Sequence, residues 1–423
     1  MNRVVVAVAC TLLMLNLGTV YAWSFFQKPL CETYGWSNSQ VVWTFSVAIC
    51  FLGLSAAAGG LLLPRTGPRP LAIAGALLFG SGYLLAALAL RLHSLSLLYL
   101  GYGVIGGIGL GLGYVIPVTT VSRWFPDHKG LATGTVVMGF GFGALLMSKV
   151  IAPFLLTRVG GNMVLLFTVM GVLFLVLSLA AATFIRNPPA LWLPPQGTAR
   201  TVSNDEPPEE SVWSCIVSRE FALLWLIFFC NITAGIALIG FQSPLFQDVY
   251  AKHDPALGKA VLASYGGNLI AASSVFNGIG RFFWGALSDR LGRCRTFSLI
   301  LGSQLAAFAL LMQTSHPWLF AILVCYILLC YGGGFGTMPS FVLDMFGARF
   351  MPAVYGAILT AWSAAGIAGP QLVAMMKDRY PGHSGLASFY SFATAICFLG
   401  TGLLLSFLFK ERKTEGTDLE TGC

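Results

Sequence analysis

The stretch SSVFNGIGRFFWGALSDRLGRCR, residues 273–295, decides how the whole chain is read. Its glycine-spaced apolar run carries a single arginine, Arg281, eight residues before Asp289, where a polar Asp-Arg-Leu-Gly-Arg segment ends it. A helix rises about 1.5 Å per residue, so eight residues set the guanidinium roughly 12 Å inside that polar boundary. Such a depth is near the middle of a bilayer core about 30 Å thick. A full charge there costs at least about 2.5–3.5 kcal/mol, which makes function its default reading; the alternative is an arginine that caps helix-end carbonyls inside a packed bundle.

Composition agrees with a membrane setting for that stretch. With 57% hydrophobic residues, 9% charged residues and 49 glycines, a chain of 423 residues is incompatible with a soluble globular protein. Residues 1–22 could pass for a signal peptide, but similar apolar runs recur to the C-terminal end, so the first simply starts a series. The ten cysteines fall mostly inside apolar runs and none has a metal-ligand spacing, so they read as small core residues; no metal and no cofactor is expected. The net charge of +8 does not point to nucleic acid, because the basic residues sit in short loops between apolar runs.

Apolar windows of about 20 residues predict an all-α membrane protein of twelve spans, near 4–26, 40–62, 71–90, 97–121, 131–154, 162–185, 219–245, 260–286, 296–314, 317–343, 353–376 and 386–409. With a cytoplasmic N-terminus, 15 Lys and Arg residues lie in cytoplasmic segments, 7 in external ones and 2, Lys149 and Arg281, within spans, which accounts for all 24. The positive-inside rule therefore predicts both termini in the cytoplasm, in a plasma or inner membrane. The longest polar stretch between spans, 187–214, is rich in proline and acidic residues and cannot bury a core. It divides the chain into a first bundle, 1–186, a linker, 187–214, a second bundle, 215–410, and a tail, 411–423.

The bundles repeat each other. GLLLPRTGPRP (60–70) follows span two as GALSDRLGRCR (285–295) follows span eight, an offset of 225 residues. WFPDHKGLATG (124–134) and MFGARFMPAVYG (345–356) follow spans four and ten at an offset of about 222. A duplicated six-helix unit resembles the major facilitator superfamily, as does the loop Gly-x-x-x-Asp-Arg-x-Gly-Arg at 285–293. The first copy of the loop departs from the pattern, with Pro64 where the second has Asp289. The resemblance assigns Asp289, with Arg290 and Arg293, to a cytoplasmic gate and expects the substrate between pseudo-symmetric bundles near the midplane. A solvated loop carboxylate is the plainer reading of Asp289.

Four further blocks, VYAWSFF (20–26), RWFPDHKGLATG (123–134), NGIGRFFWGALSDRLGR (277–293) and YGGGFGTMPS (331–340), look in order like those of the oxalate/formate antiporter family, which is related to the monocarboxylate transporters. Carried over position by position, the resemblance makes Arg281 the substrate-binding arginine and places Asn277 one turn before it. It lines the site with Tyr21, Tyr114, Phe140, Tyr331 and Phe335. Aromatic rings can pack the faces of a small carboxylate while a guanidinium takes its oxygens in a two-donor fork. Simple helix packing would also account for each ring.

The oxalate pattern fails at one position. The family's second cation, a lysine in span eleven, is matched by Trp362, so a dicarboxylate would keep one carboxylate unpaired. Lys149 is no replacement, since it falls close to the outer interface, where a lysine can snorkel. The aspartate that animal monocarboxylate transporters carry before the span-eight arginine is matched by Asn277, and all 16 Asp and Glu and all five His residues fall outside the predicted spans or at their ends. No dedicated proton carrier is evident, although protons could still accompany the substrate.

These readings predict a secondary transporter of small organic anions, monocarboxylates such as lactate, pyruvate or formate before dicarboxylates, acting as a monomer. Oxalate/formate-type exchange and a non-transporting ligand sensor are the competing readings. An enzyme is not expected, because the spans hold no acid/base pair, nucleophile with its base, or metal cluster. Runs such as GYGVIGGIGLGLGYVIP (101–117) and GFGFG (139–143) put small residues where helices can approach closely and slide.

Overall fold

A computed structural model describes residues 2–125, 129–189 and 212–408. Most of the 187–214 linker, the 411–423 tail and part of the loop after span four lie outside the described residues. The described residues form no strand, and twelve long helices carry the fold. They are α1 (Arg3–Tyr34), α2 (Asn38–Thr66), α3 (Pro68–Arg91), α4 (Leu95–Trp124), α5 (Ala132–Arg158), α6 (Met163–Thr183), α7 (Arg219–His253), α8 (Lys259–Leu291), α9 (Arg293–Gln313), α10 (Pro317–Gly347), α11 (Phe350–Arg379) and α12 (Gly385–Leu408). Eleven are long and apolar enough to cross a membrane. The exception is α8, whose 33 residues easily exceed the length required but include Arg281, Asn268, Asn277 and several serines. Its low apolarity therefore comes from the same polar residues that single it out functionally.

Helix boundaries follow local chemistry. Ser37 begins α2 with a capping box, its side chain accepting from the Gln40 backbone while the Gln40 side chain accepts from the Ser37 N–H. The two loops that repeat in sequence also repeat in backbone: Gly67 joins α2 to α3 at φ 75, ψ 169, and Gly292 joins α8 to α9 at φ 87, ψ 153. Positive φ strains a side chain with a Cβ, which explains a glycine at both positions. Gly347, at φ 77, similarly separates α10 from α11. Proline at 29, 64, 117, 244, 339 and 370 is absorbed inside long helices, as neighbouring helices in membrane bundles permit.

Packing brings the first six and last six helices together along α5 against α8 and α2 against α11. At the first contact a Cβ on Gly141 would sit 2.6 Å from the Cα of Gly278, so the two backbones touch there. Across the second, a Cβ on Gly60 would sit 2.5 Å from the Pro352 carbonyl oxygen. The small residues of 139–143 thus serve close approach, as their spacing predicts. The polar stretch after span six ends in a short helix, Val212–Ile216, instead of remaining unstructured to residue 214.

Two ends of the molecule differ. At the end marked by Asp248, three polar ties join the two sets of helices. Asp248 of α7 accepts from Lys28 of α1 at 3.3 Å and from Lys377 of α11 at 2.6 Å. Lys259 of α8 pairs with Glu32 of α1 at 3.6 Å. Asp378 of α11 accepts from the Asn38 side chain at 3.4 Å and the Ser39 backbone at 3.0 Å. At the opposite, Asp289 end, the ion pairs of Arg293 stay within the second set of helices, with Asp289 at 2.6 Å and Asp344 at 2.9 Å.

Candidate functional site

Arg281 lies on α8 three residues beyond Gly278, and close packing on both sides fixes its backbone. A Cβ on Gly336 of α10 would collide with the Arg281 carbonyl, and one on Gly280 with the Leu329 carbonyl. The side chain is fully buried at 1% exposure. Nε donates to Asn277 Oδ1 at 3.4 Å, and Nη1 donates to the Tyr114 hydroxyl at 3.4 Å and the Val137 carbonyl at 3.3 Å. All three bonds are long, and Nη2 has no hydrogen-bond partner. A buried cation is normally paired, and this one has no paired carboxylate among the described residues.

Around it stands an aromatic cage. The guanidinium carbon lies 5.5 Å from the centroid of the Phe140 ring and 5.1 Å from that of Phe335, within cation–π range. Tyr21 and Tyr331, from α1 and α10, share a hydroxyl hydrogen bond of 2.7 Å. Tyr21 occupies a 3₁₀ turn, Gly18–Ala22, that interrupts α1 at this level. Trp362 closes the cage with ring centroids 4.6 Å from Phe335, 5.2 Å from Tyr114, 5.8 Å from Phe140 and 6.2 Å from Tyr21. Its Nε1–H also lacks an acceptor. The structure therefore brings Arg281, Asn277, Tyr21, Tyr114, Phe140, Tyr331, Phe335 and Trp362 into one cluster, with a single charge in it. Asn277 orients the guanidinium; its Oδ1 is already engaged by Nε.

A cavity of about 230 Å³ begins at Arg281 and Phe335, passes Val137, Gly285 and Pro339, and reaches Asp289, which is exposed. Asp289 and Asp344 of α10 both pair with Arg293, and Arg290 is exposed, so among the described residues the ion pairs of the gate candidates tie α8 to the start of α9 and to α10. Lys149 donates to Asn268 on α8. Asn268 precedes Arg281 by 13 residues, about 20 Å along the helix, so the two cations do not converge.

Two groups were not singled out by sequence reasoning. Tyr355 of α11 is fully buried, its hydroxyl beside that of Tyr114 and near Arg281, yet without a well-formed hydrogen bond. It precedes Trp362 by seven residues, two helical turns, a spacing that puts both on one face and could have revealed it. The second is the Lys28, Asp248 and Lys377 cluster. Asp248 lies beyond the apolar part of α7, where the hydropathy pattern ends at Leu245 although the helix runs to His253.

The sequence profile described as Major Facilitator Superfamily matches residues 6–370. The chain belongs to that superfamily. This major facilitator protein is a membrane transporter and not an enzyme. It is 27% identical over 404 residues to the "Oxalate:formate antiporter" of Oxalobacter formigenes, covering 93% of this chain and 91% of that one. It is 28% identical over 413 residues to "Apicoplast pyruvate carrier 1" of Toxoplasma gondii, covering 85% and 73%. A shorter match, 30% over 138 residues, relates 32% of the chain to 26% of human "Monocarboxylate transporter 14". The crystal structure of a bacterial homologue of the human lysosomal transporter Spinster, inward-facing and unoccupied, superposes with a TM-score of 0.70 over 96% of both chains at 17% identity, which shows the shared fold.

Proposed function

We propose that this major facilitator protein carries small monocarboxylates across the membrane by alternating access, with Arg281 binding the carboxylate. The observation that carries the reading is the unpaired Nη2 of a buried arginine enclosed by rings, with Trp362 packed against Phe335 where the resemblance would put a second cation. One carboxylate neutralises one guanidinium; a second, facing Trp362, would lose hydration without gaining a cation. The Toxoplasma gondii relative, named as a pyruvate carrier, supports an anion of this size. The ties at the Asp248 end and the cavity at the Asp289 end support a state open toward the Asp289 side, which we assign to the cytoplasm, with both termini there. We further assign the first bundle to 1–186 and the second to 215–410, with Asp289, Arg290 and Arg293 belonging to the inner gate.

Oxalate exchange is the second reading, favoured by the relative that matches 93% of the chain. Uptake of labelled formate, acetate, pyruvate, lactate and oxalate into proteoliposomes, with and without a pH gradient, separates the two. Pyruvate or lactate outcompeting oxalate is expected; oxalate winning would overturn the monocarboxylate assignment, and no uptake of any of them would overturn carboxylate transport.

A further inference from the structure

Three polar side-chain atoms of the cage make no hydrogen bond of good geometry at all: Arg281 Nη2, Trp362 Nε1 and the Tyr355 hydroxyl. A carboxylate bound to the guanidinium satisfies the first. The other two belong to α11, two turns apart on one face, and both side chains are fully buried. Tyr355 differs from the other hydroxyls of the cage. Tyr21 and Tyr331 bond each other at 2.7 Å, and Tyr114 accepts from Arg281. Tyr355 stands next to the Tyr114 hydroxyl and near Arg281, but its own hydroxyl makes no hydrogen bond of good geometry.

Resting on the monocarboxylate reading above, we propose that Tyr355 is a specificity-determining residue that donates its hydroxyl to an oxygen on the carbon next to the substrate carboxylate, so that the site selects 2-oxo and 2-hydroxy acids over plain fatty acids of the same length. The chemistry is that of a donor buried without an acceptor. An acid lacking the second oxygen leaves the O–H unpaired in a dry site, whereas one that has it satisfies the donor and gains orientation. A site built around such a bond discriminates against the analogue that lacks the acceptor far better than an apolar pocket discriminates by size. A 2-oxo or 2-hydroxy acid presents its extra oxygen on the same edge as one carboxylate oxygen, so a donor near the guanidinium can take it while Arg281 keeps the carboxylate.

Lactate and propionate provide the test, since they differ only in the 2-hydroxyl. Purified native protein and Tyr355→Phe are titrated with each acid, following tryptophan fluorescence and the ligand-induced rise in unfolding temperature. Native protein is expected to bind lactate at least tenfold more tightly than propionate, and Tyr355→Phe to reduce that ratio toward one while leaving propionate binding unchanged. Unchanged propionate binding also shows that the variant is folded. A native protein that binds the two acids equally overturns the proposal even if the variant does not fold. So does a lactate-to-propionate ratio that survives in Tyr355→Phe. If native protein binds neither acid, the monocarboxylate reading itself fails, an outcome distinct from binding of both without discrimination.

Discussion

Replacing Arg281 with lysine keeps the charge but removes the geometry, and the structure allows the loss to be sized. The guanidinium uses Nε on Asn277 and Nη1 on Tyr114 and Val137, and leaves Nη2 without a partner, the group that the proposed carboxylate would take. A lysine ammonium at the end of a flexible stem cannot hold these acceptors and also present a planar fork to a carboxylate. Loss of one charged hydrogen bond is worth about 1.5–3 kcal/mol, which corresponds to roughly a ten- to hundredfold weaker affinity. The flat cation also stacks between Phe140 and Phe335, so part of its packing disappears as well. Counterflow of labelled pyruvate in proteoliposomes, paired with pyruvate-induced stabilisation of the purified protein, reads turnover and affinity separately. Native affinity and turnover in Arg281→Lys would remove this residue from the site and with it the argument for a carboxylate.

Trp362→Lys places a second cation opposite Arg281 and is expected to shift competition from lactate toward oxalate; an unchanged ratio would mean that Trp362 only packs between helices. Because the ionisable carboxylate nearest the path, Asp289, sits at its exposed end and none pairs with Arg281, preloaded internal anion is expected to drive uptake at equal internal and external pH. Uptake that requires an imposed proton gradient and ignores internal anion would refute exchange. Asp248→Asn removes both ion pairs to Lys28 and Lys377, each worth at most about 1 kcal/mol because all three groups keep some solvent contact. Hydrogen exchange at 24–34, 247–253 and 370–379 should quicken in that variant while the Asp289 end is unaffected, and equal acceleration at both ends would refute a local tie.

Much of this site is legible in the sequence because membrane burial exaggerates the meaning of polar residues. One arginine deep in an apolar helix is too costly to be incidental, and Arg281 alone locates the site in depth. Tyr21, Tyr331 and Phe335 lie within the ordered blocks, Tyr114, Phe140 and Trp362 are placed by the position-by-position resemblance between them, and the duplication of the loop glycines Gly67 and Gly292 appears again as matching backbone angles. What escaped detection depends on tertiary closure. Tyr355 looks like one of 13 tyrosines until α11 turns it toward Tyr114. Lys28, Asp248 and Lys377 lie on three helices far apart in the chain, and only the meeting of α1, α7 and α11 makes them a cluster. Hydropathy also underestimates helix length, since α1 and α7 continue into polar sequence beyond their predicted ends.

In the proposed alternating-access cycle the touching backbones of Gly141 and Gly278 would serve as a fulcrum almost level with the charge. Arg281 is three residues from Gly278 and Asp289 is eleven, so the lever arms along α8 are about 4.5 Å and about 16 Å. If one bundle tilts on this contact by about 15°, the size of a known rigid-body subunit rotation, the guanidinium is carried by about 1 Å and the far end by about 4 Å. The mouth can thus swing by more than the width of a carbon atom while the arginine stays within reach of one carboxylate throughout the stroke, so cargo and lever need not be uncoupled for the opening to change sides.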